Sequence, residues 1–185
     1  MIYSLSKFLI LCILKIFFKI EVKGKEVVPR QRPFILASNH ISYLDPPVVG
    51  SFCPRKLAYL SKKELFKNRL MRFWMNNVGG VPLRRGKADI EAMRTSMKTL
   101  QTKPLLIFPQ GTRSHNFDKV NFGVGFLHKK TGVPVIAARV YGTDAGLKFF
   151  HFGKVKVIFA KVDNIKDSDS YEEITKKVVD KIKAL

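Results

Sequence analysis

The sequence predicts an α/β fold: a mostly parallel central sheet covered by helices on both faces, with an N-terminal amphipathic helix at a membrane interface. Three observations predict it. Short apolar runs without strict polar alternation recur along the chain, as in strands covered on both faces. Helix-like segments separate them, which is the alternation of a layered α/β domain. The chain of 185 residues, 46% hydrophobic with 15 Phe, is long enough for one sizeable core.

The N-terminal stretch "YSLSKFLILCILKIFFKI" is apolar but interrupted by Lys7, Lys15 and Lys19. A bilayer-spanning helix would hold two of these lysines near the midplane, at a cost of about 2.5–3.5 kcal/mol each. At 100° per residue, Ser4, Lys7, Lys15 and Lys19 share one arc of about 120°, and Leu, Ile, Phe and Cys fill nearly all the rest. This is the pattern of a helix lying in the membrane interface with its lysines toward anionic headgroups, assigned to residues 1–22. A signal peptide fits poorly, because "FLILCIL" is short and no A-x-A-like site follows. The expected location is therefore peripheral or monotopic, on the cytoplasmic face of the membrane. Residues 23–185 read as a single domain without repeats, low-complexity tracts or linkers.

Within that domain the expected strands are 34–38, 57–61, 104–109, 133–141 and 155–160. The expected helices are 64–76, 87–101, 122–131 and 171–184, with a further helix beginning at "DPPVV". Two cysteines, Cys12 and Cys53, suggest no disulfide framework or metal cluster. The 34 Lys and Arg against 14 Asp and Glu, a net charge of +20, call for nucleic acid, an anionic membrane or acidic substrates. The basic residues are scattered and lack the aromatic signature of an RNA-recognition module, which disfavours nucleic acid.

In sheets of this kind ligands gather beyond the carboxyl ends of the strands, so the loops after 34–38 and 104–109 are the candidate site. The first reads "FILASNHISYLDPPVV". On a continuous helix His40 and Asp45 would point about 140° apart, and on a strand they would face opposite ways. They meet only if the chain turns between them. Ser42 and Asp45 are capping types and Pro46 suits a first helical position, so a strand-to-helix turn is expected. Such a pair suits general-base catalysis, the imidazole taking a proton while the carboxylate fixes its tautomer. No Ser or Cys stands in a nucleophile-elbow context, so the hydroxyl would belong to the substrate. The spacing alone equally allows Asp45 to be a simple helix cap. His115, His128 and His151 show no metal-ligand spacing with His40.

The second loop, "LLIFPQGTRSHNF", offers glycine for close backbone approach, a threonine hydroxyl and an arginine fork matched to phosphate oxygens. It lacks the spacing of a nucleotide P-loop. "GGVPLRRG" supplies another pair of cations, Arg84 and Arg85. Taken in order, these blocks resemble the glycerolipid acyltransferases of the 1-acyl-glycerol-3-phosphate acyltransferase type. "NHISYLD" matches N-H-x-S-x-x-D, "GGVPLRRG" resembles a block ending in arginine, "FPQGTRS" matches F-P-E-G-T-R-S, and "GVPVIAARVYGT" looks like the Pro-centred strand. The resemblance runs from about residue 34 to 160.

It implies His40 and Asp45 as the catalytic pair, and Arg85, Gln110, Gly111, Thr112 and Arg113 as substrate-binding, with Arg84 a further substrate-binding candidate on its charge alone. It further implies a lysophospholipid acceptor, foremost 1-acyl-glycerol-3-phosphate, and a coenzyme A or acyl carrier protein thioester as co-substrate. No cofactor and no metal are expected, and an anionic membrane surface is the expected partner. Arg84 stands where the family frequently has Asp, and Gln110 where it usually has Glu. The amide keeps the shape and hydrogen bonding but loses the charge. That substitution leaves room for another acceptor, such as lyso-ornithine lipid or lysophosphatidylglycerol. The rival of a different class is a basic binding module without catalysis.

Overall fold

The structure, a computed structural model, describes residues 2–83, 88–145 and 153–185. Helix α1 (Ile2–Phe17) leads into strand β1 (Phe18–Lys23), then β2 (Ile35–Ser38), α2 (Asp45–Phe52), β3 (Ala58–Lys62), α3 (Arg69–Val78) and β4 (Gly80–Leu83). The chain continues through α4 (Ala88–Leu100), β5 (Leu105–Ile107), α5 (Gly123–Thr131), β6 (Val135–Tyr141), β7 (Gly153–Lys161) and α6 (Tyr171–Ala184). The seven strands form one sheet in the order β1-β7-β6-β2-β5-β3-β4. The five from β6 to β4 run parallel, β7 is antiparallel to β6, and β1 is parallel to β7.

Strand β2 shows why the apolar runs lack alternation. Ile35 and Ala37 enter one core with Val124, Leu127, Ile174, Val178 and Ile182, on the face covered by α4, α5 and α6. Leu36 enters the other with Leu14, Val48, Val49 and Phe52, on the face covered by α1 and α2. Residues Phe34 to Ala37 have no exposure at all. Both faces of the strand are core, so every position demands an apolar side chain.

Three expectations are corrected. The N-terminal helix ends at Phe17, and residues 18–23 form β1 along β7. "FKIEVK" alternates apolar and charged side chains with a period of two, the pattern of a strand. Glu21 there bridges Lys23 at 2.9 Å and Lys154 of β7 at 3.0 Å. Lys7 does not face outward. Its Nζ donates to the Cys53 carbonyl at 3.0 Å, and burial pushes the ammonium below its ordinary range. Finally, the expected helix 64–76 is a short 3-10 turn, Lys63–Phe66, followed by α3. Asn68 separates them as an N-cap, its side chain accepting from the Leu70 and Met71 amides. Strand β4, beyond the turn at Gly79, was not foreseen.

Asn39 extends β2 past its last regular residue. Its buried side-chain amide donates to the Val140 carbonyl at 2.8 Å and accepts from the Val140 N–H at 2.7 Å, copying a strand-to-strand pair. An Asn39→Ala variant leaves both main-chain groups of Val140 buried and unpaired. It should lose about 2–3 kcal/mol of unfolding free energy. Urea unfolding with an unchanged midpoint would refute this.

Candidate active site

The carboxyl ends of β2, β5 and β6 lie at one edge of the sheet, because the three strands are parallel. The loops leaving them build the site. Asp45, the first residue of α2, is fully buried. Its Oδ2 accepts from His40 Nδ1 at 2.8 Å and from the main-chain N–H groups of Ile41 at 2.6 Å and Ser42 at 2.7 Å. Its Oδ1 accepts from Thr143 Oγ1 at 2.5 Å. A buried carboxylate is costly unless its lone pairs are matched, and here four donors converge on it. The turn that brings His40 to Asp45 is therefore made by the carboxylate itself, which gathers two consecutive N–H groups. Thr143 follows Gly142, whose φ of 77° and close approach to the Lys154 carbonyl exclude a side chain.

A carboxylate can only accept, so Nδ1 of His40 carries the proton in the neutral ring and Nε2 keeps a lone pair. Among the described residues none bonds Nε2, and the His40 side chain retains 18% exposure. Its ring stacks on Phe108, with centroids 4.2 Å apart and planes at 22°. The main chain is clamped as well. The His40 N–H donates to Gln110 Oε1 at 2.6 Å, and the His40 carbonyl accepts from Ser114 N–H at 2.8 Å.

Gln110 is buried, and its amide is fully engaged. While Oε1 accepts from the His40 N–H, Nε2 donates to the Ser114 carbonyl at 2.6 Å and the Asn116 carbonyl at 2.7 Å. An amide presents one acceptor and two donor hydrogens, which is what one N–H and two carbonyls require. All of the hydrogen-bonding groups of the Gln110 amide are thus directed at main chain. The residue locks the second loop onto the first. Gly111 makes the turn behind it at φ 68°, where a Cβ would meet Asn121 Nδ2 at 2.3 Å. Thr112 and Arg113 stand exposed beyond that turn. The guanidinium of Arg113 lies over the ring of Tyr43, with Cζ 3.4 Å from the ring centroid. Arg84 and Arg85 lie outside the described residues.

The fold therefore joins His40, Asp45, Gln110 and Arg113 in one constellation, with Gly111 and Thr112 on its rim. Thr143, Phe108, Ser114 and Tyr43 were not singled out from sequence. Thr143 and Phe108 sit inside quoted blocks, but their contacts arise only when separate strand ends converge. Chemically, the arrangement presents one oriented base with a free lone pair beside an exposed cation.

Asp45→Asn should fold with near-native stability. The amide oxygen can keep the three donors on one side, while its NH₂ donates to the Thr143 hydroxyl. Asp45→Ala strands those donors and should cost about 3 kcal/mol of unfolding free energy. Equal melting of the two variants would contradict the four-donor geometry.

A family model described as Acyltransferase matches residues 19–141, more than half of the chain. The 1-acyl-sn-glycerol-3-phosphate acyltransferase of Bacillus subtilis is 26% identical over 144 residues, covering 77% of this chain and 72% of that protein. The human 1-acyl-sn-glycerol-3-phosphate acyltransferase alpha is 29% identical over 124 residues, covering 64% of this chain and 44% of the human one. The chain thus spans less than half of the human relative. Among solved structures, the 1-acyl-sn-glycerophosphate (LPA) acyltransferase PlsC of Thermotoga maritima matches with a TM-score of 0.72 and 27% identity. That match covers 97% of this chain and 78% of the other. The matched family span contains the His40–Asp45 turn and the loop that clamps it, and the chain belongs to the Acyltransferase family.

Proposed function

We propose that this protein is an O-acyltransferase that moves a fatty acyl group from an acyl thioester to the free hydroxyl of 1-acyl-glycerol-3-phosphate, giving phosphatidic acid. One observation carries the reading: a histidine whose Nδ1 rests on a buried carboxylate and whose Nε2 is free, beside an exposed arginine. Nε2 takes the proton of the acceptor hydroxyl as its oxygen attacks the thioester carbonyl. Asp45 stabilises the imidazolium that forms. The thiolate then leaves, so a strong general acid is not needed. A base of this kind contributes about 10²–10⁴-fold, and positioning supplies the rest.

Arg113, with Arg85 by family resemblance and Arg84 by the charge it adds beside it, anchors the acceptor phosphate, and the backbone at Gly111 and Thr112 shapes its seat. Gln110 is engaged by main-chain groups, so its replacement of the usual Glu supports no change of acceptor. The donor is a coenzyme A or acyl carrier protein thioester, and no cofactor enters the scheme.

A lysolipid acceptor requires a membrane surface, and the exposed side chains supply one. Leu5, Phe8, Leu9 and Ile16 of α1 are exposed, opposite the buried Leu14. Helix α3 packs beside α1, Trp74 Nε1 donating to Ser6 Oγ at 3.1 Å. Leu70, Phe73 and Trp74 are exposed, with the cations Arg69 and Arg72 among them. Among the described residues no helix is long and apolar enough to cross a membrane. An apolar surface rimmed by cations suits shallow insertion into an anionic bilayer, peripheral or monotopic, on the cytoplasmic face.

Two experiments test this. Labelled acyl transfer onto lysophosphatidic acid in mixed micelles, from each donor, should yield phosphatidic acid. It should fall at least about 10²-fold in a folded His40→Ala variant, and a variant near full rate would sink the assignment. Replacing Phe8 and Leu9 together by Glu should lower sedimentation with phosphatidylglycerol vesicles by about tenfold or more. Unchanged sedimentation would exclude this face as the membrane contact.

A further inference from the structure

We propose that Tyr43 is a positioning residue for the acceptor: its ring holds the Arg113 guanidinium flat, so that the guanidinium edge is presented to the acceptor phosphate. The inference rests on the phosphate-anchoring reading of Arg113 given above.

Four observations lead to it. The Arg113 Cζ lies 3.4 Å from the Tyr43 ring centroid. So short a distance is reached only over the ring face, since in the ring plane the ring's own carbons and hydrogens intervene. At that separation the guanidinium must also lie flat, because an edge-on group would drive a nitrogen into the ring carbons. Second, stacking occupies only the face of the cation. The N–H donors point outward in its plane, and among the described residues no hydrogen bond or ion pair engages them. A flat guanidinium with a free edge can bind two phosphate oxygens at once.

Third, the platform is fixed although its ring is not buried. Tyr43 is 80% exposed. The amides before it, Ile41 and Ser42, are held by Asp45 Oδ2, and the Leu44 amide after it donates to Ser42 Oγ at 3.2 Å. Fourth, the opposite partner is anchored to the same histidine. Ser114, next to Arg113, donates its N–H to the His40 carbonyl and gives its own carbonyl to Gln110. Both halves of the stack are thus tied to His40 through short stretches of pinned backbone, and a phosphate on the arginine edge stands at a set offset from Nε2. An unstacked surface arginine would explore many rotamers and lose that freedom on binding. Stacking removes part of this loss beforehand.

The test is steady-state transfer by the full chain to lysophosphatidic acid, with Tyr43→Leu and Tyr43→Phe made in the native and Arg113→Ala backgrounds. Far-UV dichroism and vesicle sedimentation are followed alongside. Tyr43→Leu should raise the acceptor KM about threefold, the scale of an exposed cation–π contact, with kcat and donor KM unchanged. Tyr43→Phe should behave as the native protein, because the ring face and not the hydroxyl makes the contact. In the Arg113→Ala background Tyr43→Leu should add nothing.

A native KM in Tyr43→Leu, with a raised one in Arg113→Ala, overturns this inference alone. Equal KM shifts in both backgrounds, or weaker vesicle sedimentation in Tyr43→Leu as the only change, overturn it too; the second outcome would make Tyr43 a membrane contact. If Arg113→Ala itself leaves the acceptor KM unchanged, the phosphate reading of Arg113 fails, and this inference fails with it.

Discussion

Everything at the active edge depends on one fully desolvated carboxylate. Asp45 has no contact with solvent, so each of its lone pairs must meet a donor inside the protein. It draws two from consecutive amides of its own turn, one from the imidazole, and one from Thr143 at a sequence separation of 98. Satisfying the charge therefore closes the β2–α2 turn, orients the histidine and ties the end of β6 to the start of α2. The geometry of the His40–Asp45 pair and the local fold are the same set of hydrogen bonds. An arrangement of this kind is unforgiving, since removing one partner leaves the others buried and unpaired.

The second constraint acts on the main chain of His40. Orientation of a ring by its carboxylate is of little use if the backbone beneath it drifts, and here both backbone groups are held by the loop after β5. Gln110 is the joint. Its single acceptor and two donor hydrogens meet one amide and two carbonyls of two different loops. The exposed Arg113 and His40 Nε2 belong to loops joined by this buried clamp.

The layers of the fold tie this edge to the N-terminal helix. Helices α1 and α2 share the core on one face of the sheet, and α2 begins at Asp45. The exposed side chains of α1 and α3 are mostly large and apolar, with Lys15, Arg69 and Arg72 among them, while Lys7 turns inward to a main-chain carbonyl. Under the proposed membrane attachment, the contact would be apolar area flanked by exposed cations, with the lysines of α1 contributing only in part. Burying each such side chain in the interface contributes about 1.5–3 kcal/mol, more than a screened surface charge does.

By itself the sequence determined the strands buried on both faces, because such positions allow only apolar residues and leave uninterrupted runs such as "FILA". It also pointed to the strand-to-helix turn between His40 and Asp45, since Asp and Pro suit a helix start, although the N-cap is Leu44 and the Asp45 carboxylate accepts from the amides before the helix rather than capping it. Strand β1 escaped because its period-two alternation follows directly on an apolar helix, and β4 because four residues after a glycine turn carry too little pattern. Only the tertiary structure decided that Thr143 completes the carboxylate, that Gln110 locks two loops, that Arg113 rests on Tyr43 and that Lys7 faces inward. Each of these is a contact between segments far apart in the chain, 46 residues for Lys7 and 70 for Gln110 with His40. Local propensity and periodicity act over a few residues, so a pairing made when separate strand ends converge leaves no trace in either segment alone.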